Sequence, residues 1–77
     1  MALFDVREYP GGNCIVSGLK AKDFNQAINI FAGESVTTVR DVKQIGKGSI
    51  YDKKYKSFTT IKGDVYNIYH RKGDWTV

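Results

Sequence analysis

The apolar residues at the start of the chain alternate with polar ones and then change their spacing. Within Ala2–Arg7, Phe4 and Val6 alternate with charged residues, which is the period-two pattern of a half-buried strand. Residues 10–13, Pro-Gly-Gly-Asn, combine a fixed φ with two glycines and a turn-capping side chain, so the chain should reverse there. Cys14–Gly18 is then predicted to form a second strand that pairs with the first as a hairpin.

A helix is predicted from Ala21 to Ala32, where apolar residues recur at intervals of three and four and form one stripe. Asp23 falls in its first turn, where a carboxylate meets the positive end of the helix dipole, and Gly33 follows the last periodic residue. About three turns are too short to be stable alone, so the helix must pack on a sheet. The periodic apolar positions are Phe24, Ala27, Ile28 and Phe31.

Residues 35–45 are rich in β-branched side chains, which suits a third strand, but the alternation slips between Val39 and Val42. A bulge or bend is therefore predicted there. Residues 46–56 contain two glycines and four lysines with little periodicity, so we expect a long, partly mobile loop.

Two further strands are predicted at Ser57–Lys62 and Asp64–Arg71, joined by a tight turn at Lys62-Gly63-Asp64. In the second of these, alternation places Val65, Asn67 and Tyr69 on one side and Tyr66, Ile68 and His70 on the other. A last turn at residues 72–74 leads to Trp75, which either closes the edge of the core or remains on the surface.

The fold class that these elements predict is α+β. The order ββαβββ gives one antiparallel sheet of four to five strands, with a single helix packed on one face. The whole chain of 77 residues is long enough for one small domain only, whose stability margin must be thin. An exposed edge strand in such a sheet would also allow a homodimer.

Positive charge is concentrated in the C-terminal half. The net charge is +4, but residues 1–39 hold three basic and four acidic residues, whereas residues 40–77 hold nine basic and four acidic ones. Clustered lysine and arginine residues favour contact with nucleic acid or an acidic protein surface. The competing interpretation is a solvated surface that keeps a small domain soluble.

The sequence offers little support for catalysis or for a metal site. Cys14 is the only cysteine and His70 the only histidine, so a disulfide within the chain is impossible and a zinc site would lack its usual ligands. Cys14 begins an apolar stretch and is expected to be a buried apolar residue. No serine lies in a Gly-x-Ser-x-Gly elbow, and residues 46–49 lack the full spacing of a phosphate loop. We therefore expect no enzymatic activity and no cofactor, with a ribonuclease-like role for His70 and Arg71 as a minor alternative.

The most distinctive feature is the mixture of aromatic and basic side chains after residue 46. Aromatic rings stack on bases while lysines and arginines meet phosphates, as on sheets that bind RNA or single-stranded DNA. Exposed tyrosines beside cations also characterise protein-binding hot spots, and some of these rings must instead serve as core. The residues predicted to contact a partner are Lys47, Tyr51, Lys53, Lys54, Tyr55, Lys56, Tyr66, Arg71, Lys72 and Trp75.

The strand and short helix of residues 15–27, followed by strands ending in Gly-Asp-Trp-Thr-Val, resemble in layout the small inhibitor proteins encoded by bacterial viruses. Among these are small anti-CRISPR proteins and the RNA-polymerase inhibitor of T7-like phages. The resemblance implies a stoichiometric inhibitor of a bacterial host or defence nucleoprotein complex, acting in the host cytoplasm. The alternative is a small module that binds RNA or single-stranded DNA. No apolar run approaches the roughly 18 residues that span a bilayer, so no membrane partner is expected.

Overall fold

The computed structural model describes residues 2–43 and 50–71, with the exception of the Lys53 side chain. The described residues form a five-stranded antiparallel sheet, one α-helix and a 3₁₀ turn at Gly33–Ser35. The order ββαβββ and the α+β class agree with the sequence prediction. The elements are β1 (Ala2–Tyr9), β2 (Cys14–Ala21), α1 (Phe24–Ala32), β3 (Val36–Lys43), β4 (Tyr51–Thr60) and β5 (Val65–Arg71).

The strands lie in the order β2-β1-β5-β4-β3, so the first and last strands of the described chain are neighbours near the middle of the sheet. β1 and β5 pair in continuous register from Phe4 opposite His70 to Tyr9 opposite Val65. The β4–β5 pairing then links this centre to the outer β3–β4 hairpin. The β1–β2 hairpin and the β3–β4 hairpin are thus joined through β5, which itself forms a third hairpin with β4.

The turn between β1 and β2 lies where the proline and glycines predict it. The backbone N–H of Glu8 donates to the Asn13 carbonyl at 2.9 Å, and the Gly12 N–H donates to the Glu8 carbonyl at 2.8 Å. The Asn13 side-chain amide also donates to the Glu8 carboxylate at 2.7 Å. Gly12 has φ of +78°, which a residue with a side chain rarely adopts, and the Tyr9–Pro10 peptide bond is cis.

Helix α1 ends at Ala32, before Gly33, as predicted, but it begins at Phe24 and not at Ala21, which belongs to β2. Asp23 is the N-cap residue, and its carboxylate accepts a hydrogen bond from the Gln26 N–H at 2.8 Å, which satisfies one of the free donors of the first turn. Gly33 ends the helix with φ of +59°, and its N–H donates to the Asn29 carbonyl. A side chain at that position would be strained, so the glycine fixes where the chain leaves the helix.

The core lies between α1 and one face of the sheet. Phe4 and Val6 of β1, Phe58 of β4 and Ile68 of β5 are almost fully buried and face Ala27 and Ile28 of the helix. Aromatic rings of the helix complete the contact: Phe24 meets Phe4 edge to face at 5.1 Å, and Phe31 meets Phe58 and Tyr66 in the same manner at 5.9 and 5.1 Å. The two sides of β5 are divided as predicted, with Tyr66, Ile68 and His70 towards the helix.

The predicted loop at residues 46–56 is wrong over its second half, because residues 51–56 belong to strand β4. Pairing with β3 on one side and β5 on the other satisfies the backbone of β4, so weak side-chain periodicity does not prevent a strand. The long lysine side chains are tolerated because their charged ends can reach water. Residues 46–49 lie outside the described residues.

Three smaller predictions are also corrected. The irregularity in β3 lies between Val36 and Thr38 rather than between Val39 and Val42. Cys14 is exposed, because it begins the outermost strand β2 beside the turn and its neighbour Ile15 is exposed as well. β1 and β2 are longer than predicted and end at Tyr9 and Ala21.

Candidate functional site: a basic cleft and a tyrosine stack on opposite faces of β4

Strand β4 divides the predicted contact residues between the two faces of the sheet. Phe58 faces the helix and the core, and alternation along the strand places Lys56 and Lys54 on the same side. Tyr55 and Tyr51 lie on the opposite face, where both are near Tyr69 of β5. The continuous surface that the sequence predicts is therefore two separate surfaces.

The first surface is a cleft between the start of α1 and the β3–β4 hairpin, which we call the basic cleft. Its volume is about 370 Å³, and it is lined by Phe24, residues 41–43 and residues 54–56. Lys43 of β3 lies directly opposite Lys54 of β4, and one step along the ladder Asp41 lies opposite Lys56. These two pairs therefore place three lysines and a single carboxylate on the cleft side of the two strands.

Asp41 neutralises only one of these lysines. The Lys56 ammonium donates to its carboxylate at 2.8 Å and also lies 5.8 Å from the centre of the Phe24 ring. This hydrogen bond, the charge of Lys56 and, more weakly, that of Lys54 lower the pKa of Asp41 below its usual value. The Asp41 side chain is 84% exposed, so water weakens the pair.

The opposed lysines of the basic cleft are unfavourable for folding. Side chains directly opposite each other on antiparallel strands lie about 4.5–5.5 Å apart at Cβ, and like charges there are destabilising. Lys43 and Lys54 are both exposed, which moderates the repulsion without removing it. Positions that oppose folding in this manner are often functional.

Helix α1 covers the outer strands β3 and β4 only in part: it buries Phe58 of β4 but leaves residues around the basic cleft exposed. Val39 lies opposite the core residue Phe58 and therefore faces the helix side, yet it is 44% exposed. Helix α1 packs mainly over β2 and β5 and reaches β4 through the contact between Phe31 and Phe58. Strands β3 and β4 together hold five basic and two acidic residues, a balance of +3, on a part of the sheet that is open to solvent.

The second surface is a stack of three tyrosines on the face opposite the helix, which we call the tyrosine stack. Tyr69 lies between Tyr51 and Tyr55, with ring centres 4.7 and 4.6 Å apart and nearly parallel planes. Partial burial raises the pKa of Tyr55, the nearby phenols of Tyr69 and Tyr9 raise it further, and Arg40 opposes the increase. The Tyr55 phenol is therefore neutral at physiological pH. Tyr55 and Tyr69 are partly exposed, whereas Tyr51, which was predicted to contact a partner, is buried.

Beside the tyrosine stack lies a buried carboxylate, Asp5, which is only 3% exposed. Its Oδ2 accepts a hydrogen bond from the Tyr51 hydroxyl at 2.6 Å, and its Oδ1 accepts from the Gly18 N–H at 2.9 Å. The Arg71 guanidinium contacts the same Oδ1 through Nε at 3.1 Å and Nη2 at 2.9 Å, and Nη2 also donates to the Ser17 hydroxyl. Strands β1, β2, β4 and β5 are thereby joined at one carboxylate.

The hydrogen bonds of this network determine its ionisation. Burial by itself would raise the pKa of Asp5, but the donors Tyr51, Gly18 and Arg71 outweigh burial and lower the pKa below the ordinary value of 3.8. For Tyr51, burial and the hydrogen bond to Asp5 raise the pKa, while Arg7 opposes them. Asp5 is consequently a carboxylate at neutral pH, and Arg71 is engaged in the fold as well as being a predicted contact residue.

His70 lies on the helix side of β5, partly buried, and its ring stacks on Phe4 at 5.1 Å and meets Phe24 edge to face at 5.9 Å. Its Nδ1 is paired with the Asp52 carboxylate of β4. The pair is formed next to the irregularity in the β4–β5 register between Tyr51 and Tyr55. The His70 ring therefore contributes to the packing between β1, β5 and the start of α1.

The other predicted contact residues have mixed placements. Tyr66 packs against Phe31 and Phe58 at the edge of the core, so much of its ring is used in the fold. Lys53 lies in β4, and its side chain is not among the described parts. The predicted residues outside the described range are Lys47, Lys72 and Trp75.

Sequence reasoning missed Lys43, Asp41 and Phe24 as parts of the basic cleft and Asp5 as the centre of a network. Lys43, the last residue of β3, is visible in the sequence as a further basic residue. That it faces Lys54 follows only from the register of the β3–β4 pairing. Asp5 occupies a polar position in an alternating strand and gives no sign in the sequence that it is buried.

Among residues 2–43 and 50–71 no group of three or more histidine, cysteine, aspartate or glutamate side chains is arranged to hold a metal ion. Over the same described ranges, no helix has the length and apolar character required to cross a membrane. No protein-family model matches this chain, and neither the curated proteins nor the solved structures give a significant match.

Proposed function

We propose that this chain is a non-enzymatic binding protein that inhibits a bacterial host or defence nucleoprotein complex, with the β3–β4 hairpin as its contact surface. The observation that carries the proposal is the balance of +3 on these two strands, whose ends at the basic cleft carry the exposed residues Asp41, Lys43 and Lys54. A cationic surface of this kind speeds association with a polyanionic partner. The class of partner is inferred from the resemblance in element order to phage-encoded inhibitors that the sequence suggests.

Exposed apolar side chains near this basic surface favour a macromolecular partner. Val39 of β3 and Ile50, which directly precedes β4, are exposed, as are Lys43 and Lys54 of the basic cleft. Protein interfaces commonly combine apolar or aromatic contacts with a charged rim. The hairpin therefore offers both contact area and charge to a partner.

The test is capture of partners from bacterial lysate by the tagged full chain, with and without nuclease. The informative variant is Lys43→Glu/Lys54→Glu, and the matched control is Lys20→Glu/Lys22→Glu, which makes the same charge change on exposed lysines at or just after β2. The partner is then identified, and its nucleic-acid-dependent activity is measured with increasing amounts of the chain.

We expect one nuclease-resistant partner whose activity falls to its limit at a stoichiometric amount of the chain. The Lys43→Glu/Lys54→Glu variant should lose both capture and inhibition, while the control retains them. Equal loss in both variants would show that only net charge matters. A captured partner with unchanged activity would refute inhibition.

A small nucleic-acid-binding module is the second candidate. The tyrosine stack favours it, since Tyr55 and Tyr69 are partly exposed beside Arg40 on an open sheet face. Material captured only in the absence of nuclease would favour this function over the first.

A further inference from the structure

We propose that the basic cleft binds the phosphate of a single-stranded nucleic acid, with Lys43 and Lys54 as the phosphate contacts and Phe24 as the apolar wall. The inference rests on the proposed function and names the part of a nucleoprotein partner that this surface contacts. It uses the side of the sheet opposite the tyrosine stack.

The charge arrangement favours a phosphate. Lys43 and Lys54 lie directly opposite each other, so their ammonium groups can converge on one anion and relieve the repulsion between them. The Asp41 carboxylate already pairs with Lys56, at 2.8 Å, and this pairing limits its repulsion of an incoming anion. A phosphate carries several acceptor oxygens and can accept from both remaining lysines, which bind it as point charges.

The size and lining of the cleft favour a phosphate that is attached to a larger group. Its volume of about 370 Å³ lies within the ~300–1,000 Å³ typical of small-molecule sites and exceeds the need of a bare anion. Phe24 gives the cleft an aromatic wall at its helix end. Positive grooves with aromatic side chains are typical of sites for single strands.

The cleft also lies at an accessible place. Lys43, Lys54 and Asp41 are exposed, and Lys56 is partly exposed, so a strand can reach all four without movement of the core. A single carboxylate can also pair with both lysines, but an acidic side chain brings no aromatic group to lie against Phe24, whereas a nucleotide brings a base together with its phosphate. We therefore assign the cleft to nucleic acid.

The experiment measures binding of fluorescein-labelled U12 RNA and T12 DNA to the full chain by fluorescence anisotropy between 50 and 200 mM salt. The variants are Lys43→Gln, Lys54→Gln and Asp41→Asn. The matched control is Lys20→Gln, which removes the same charge from an exposed lysine on β2. Thermal unfolding by circular dichroism shows that each variant is folded, and a lysine variant whose midpoint falls is replaced by the threonine variant at that position, which also removes the charge and suits a strand.

We expect Lys43→Gln and Lys54→Gln each to weaken binding about fivefold at 50 mM salt and to reduce the salt slope by about 0.7 per lost phosphate contact. Lys20→Gln should bind as the natural chain does. Asp41→Asn should bind about twofold to fivefold more tightly, because a carboxylate is removed and Lys56 is released. If these residues only stabilised the fold, the lysine variants would not weaken oligonucleotide binding while Asp41→Asn strengthens it.

Three results would overturn the inference. The first is no binding of either oligonucleotide at 50 mM salt, and the second is equal weakening by Lys54→Gln and Lys20→Gln. The third is complete displacement of the oligonucleotide by 10 mM inorganic phosphate or by polyglutamate, which would assign the cleft to a free anion or to an acidic protein.

Failure of the inference and failure of the proposed function are distinguishable. A nuclease-resistant, inhibited partner without oligonucleotide binding would retain the function and reject the nucleic-acid cleft. Oligonucleotide binding that depends on Lys43 and Lys54, without any inhibited partner, would retain the nucleic-acid cleft and reject the inhibitory function.

Discussion

Replacement of Asp5 by asparagine should destabilise the fold much more than the same replacement at an exposed carboxylate. Asp5 is 3% exposed and accepts hydrogen bonds from Tyr51, Gly18 and Arg71. Asparagine is almost isosteric and keeps one carbonyl oxygen, so it can still accept from Gly18. It removes the negative charge that faces Arg71 and presents an amide donor to one of the former partners.

The magnitude follows from the contacts that are lost. Removing one partner of a buried ion pair costs about 3–5 kcal/mol, but Arg71 is 30% exposed and can be partly hydrated, which reduces the cost. Charge-assisted hydrogen bonds contribute about 1.5–3 kcal/mol each and neutral ones about 0.5–1.5 kcal/mol. We therefore expect Asp5→Asn to lower the free energy of unfolding by about 2–3 kcal/mol, and the melting temperature by about 10–20 °C.

The assay is urea unfolding of the full chain followed by circular dichroism, with thermal unfolding as a second measurement. Asp41→Asn is the matched control, because it removes a carboxylate from an ion pair whose acidic member is 84% exposed, and its unfolding midpoint should not change measurably. The double variant Asp5→Asn/Arg71→Gln should cost less than the sum of the single variants, because the two residues interact directly.

An Asp5→Asn protein that unfolds at the same urea concentration as the Asp41→Asn protein would refute this reasoning. It would mean that desolvation of Asp5 cancels the gain from its hydrogen bonds. Additive effects of Asp5→Asn and Arg71→Gln would show that the 2.9 Å contact contributes nothing of its own.

Two further predictions concern acid stability and the helix. The pKa of Asp5 is lowered in the folded state, so the stabilisation that its ionised form gives is complete above the ordinary value of 3.8 and is lost as the pH falls through the lower folded value. The free energy of unfolding, measured between pH 6 and pH 2, should therefore fall less steeply in Asp5→Asn than in the natural chain. Parallel curves for the two proteins would contradict this. Asp23→Ala should cost about 1 kcal/mol in urea unfolding because the 2.8 Å bond to the Gln26 N–H is lost, whereas Asp23→Asn keeps an acceptor and should cost far less.

The strands and helix with strong local signals were predictable from the sequence. The apolar stripe and the capping glycine Gly33 gave the helix to within a few residues, because these signals depend on neighbouring residues only; Asp23, predicted within the first turn, is the N-cap. The β1–β2 turn was predictable for the same reason. The first half of β4 was not, since its strand conformation depends on hydrogen bonds to β3 and β5 and not on its own lysine-rich pattern.

The candidate site was predictable in its residue types but not in its arrangement. Composition identified the basic and aromatic residues Lys54, Lys56, Tyr51 and Tyr55. Because residues 51–56 were predicted to be a loop, the prediction did not include the alternation that places the lysines and tyrosines on opposite faces of a strand. The opposition of Lys43 and Lys54 depends on strand register, which the sequence does not specify. Whether Trp75 belongs to the core or the surface lies outside the described residues and stays a prediction.

The pairing of β1 with β5 has a consequence for how the chain acquires its fold during synthesis. Phe4 and His70 are cross-strand partners separated by most of the chain, and β5 is the strand that joins the two hairpins. Contacts between residues so distant in sequence require loop closure before they stabilise anything, which slows folding. A nascent chain that ends before Val65 can form its local hairpins and a nascent helix, but it lacks Ile68 and the strand that brings them together. The domain is therefore completed only after β5 has left the ribosome, and until then the apolar faces of both hairpins are exposed.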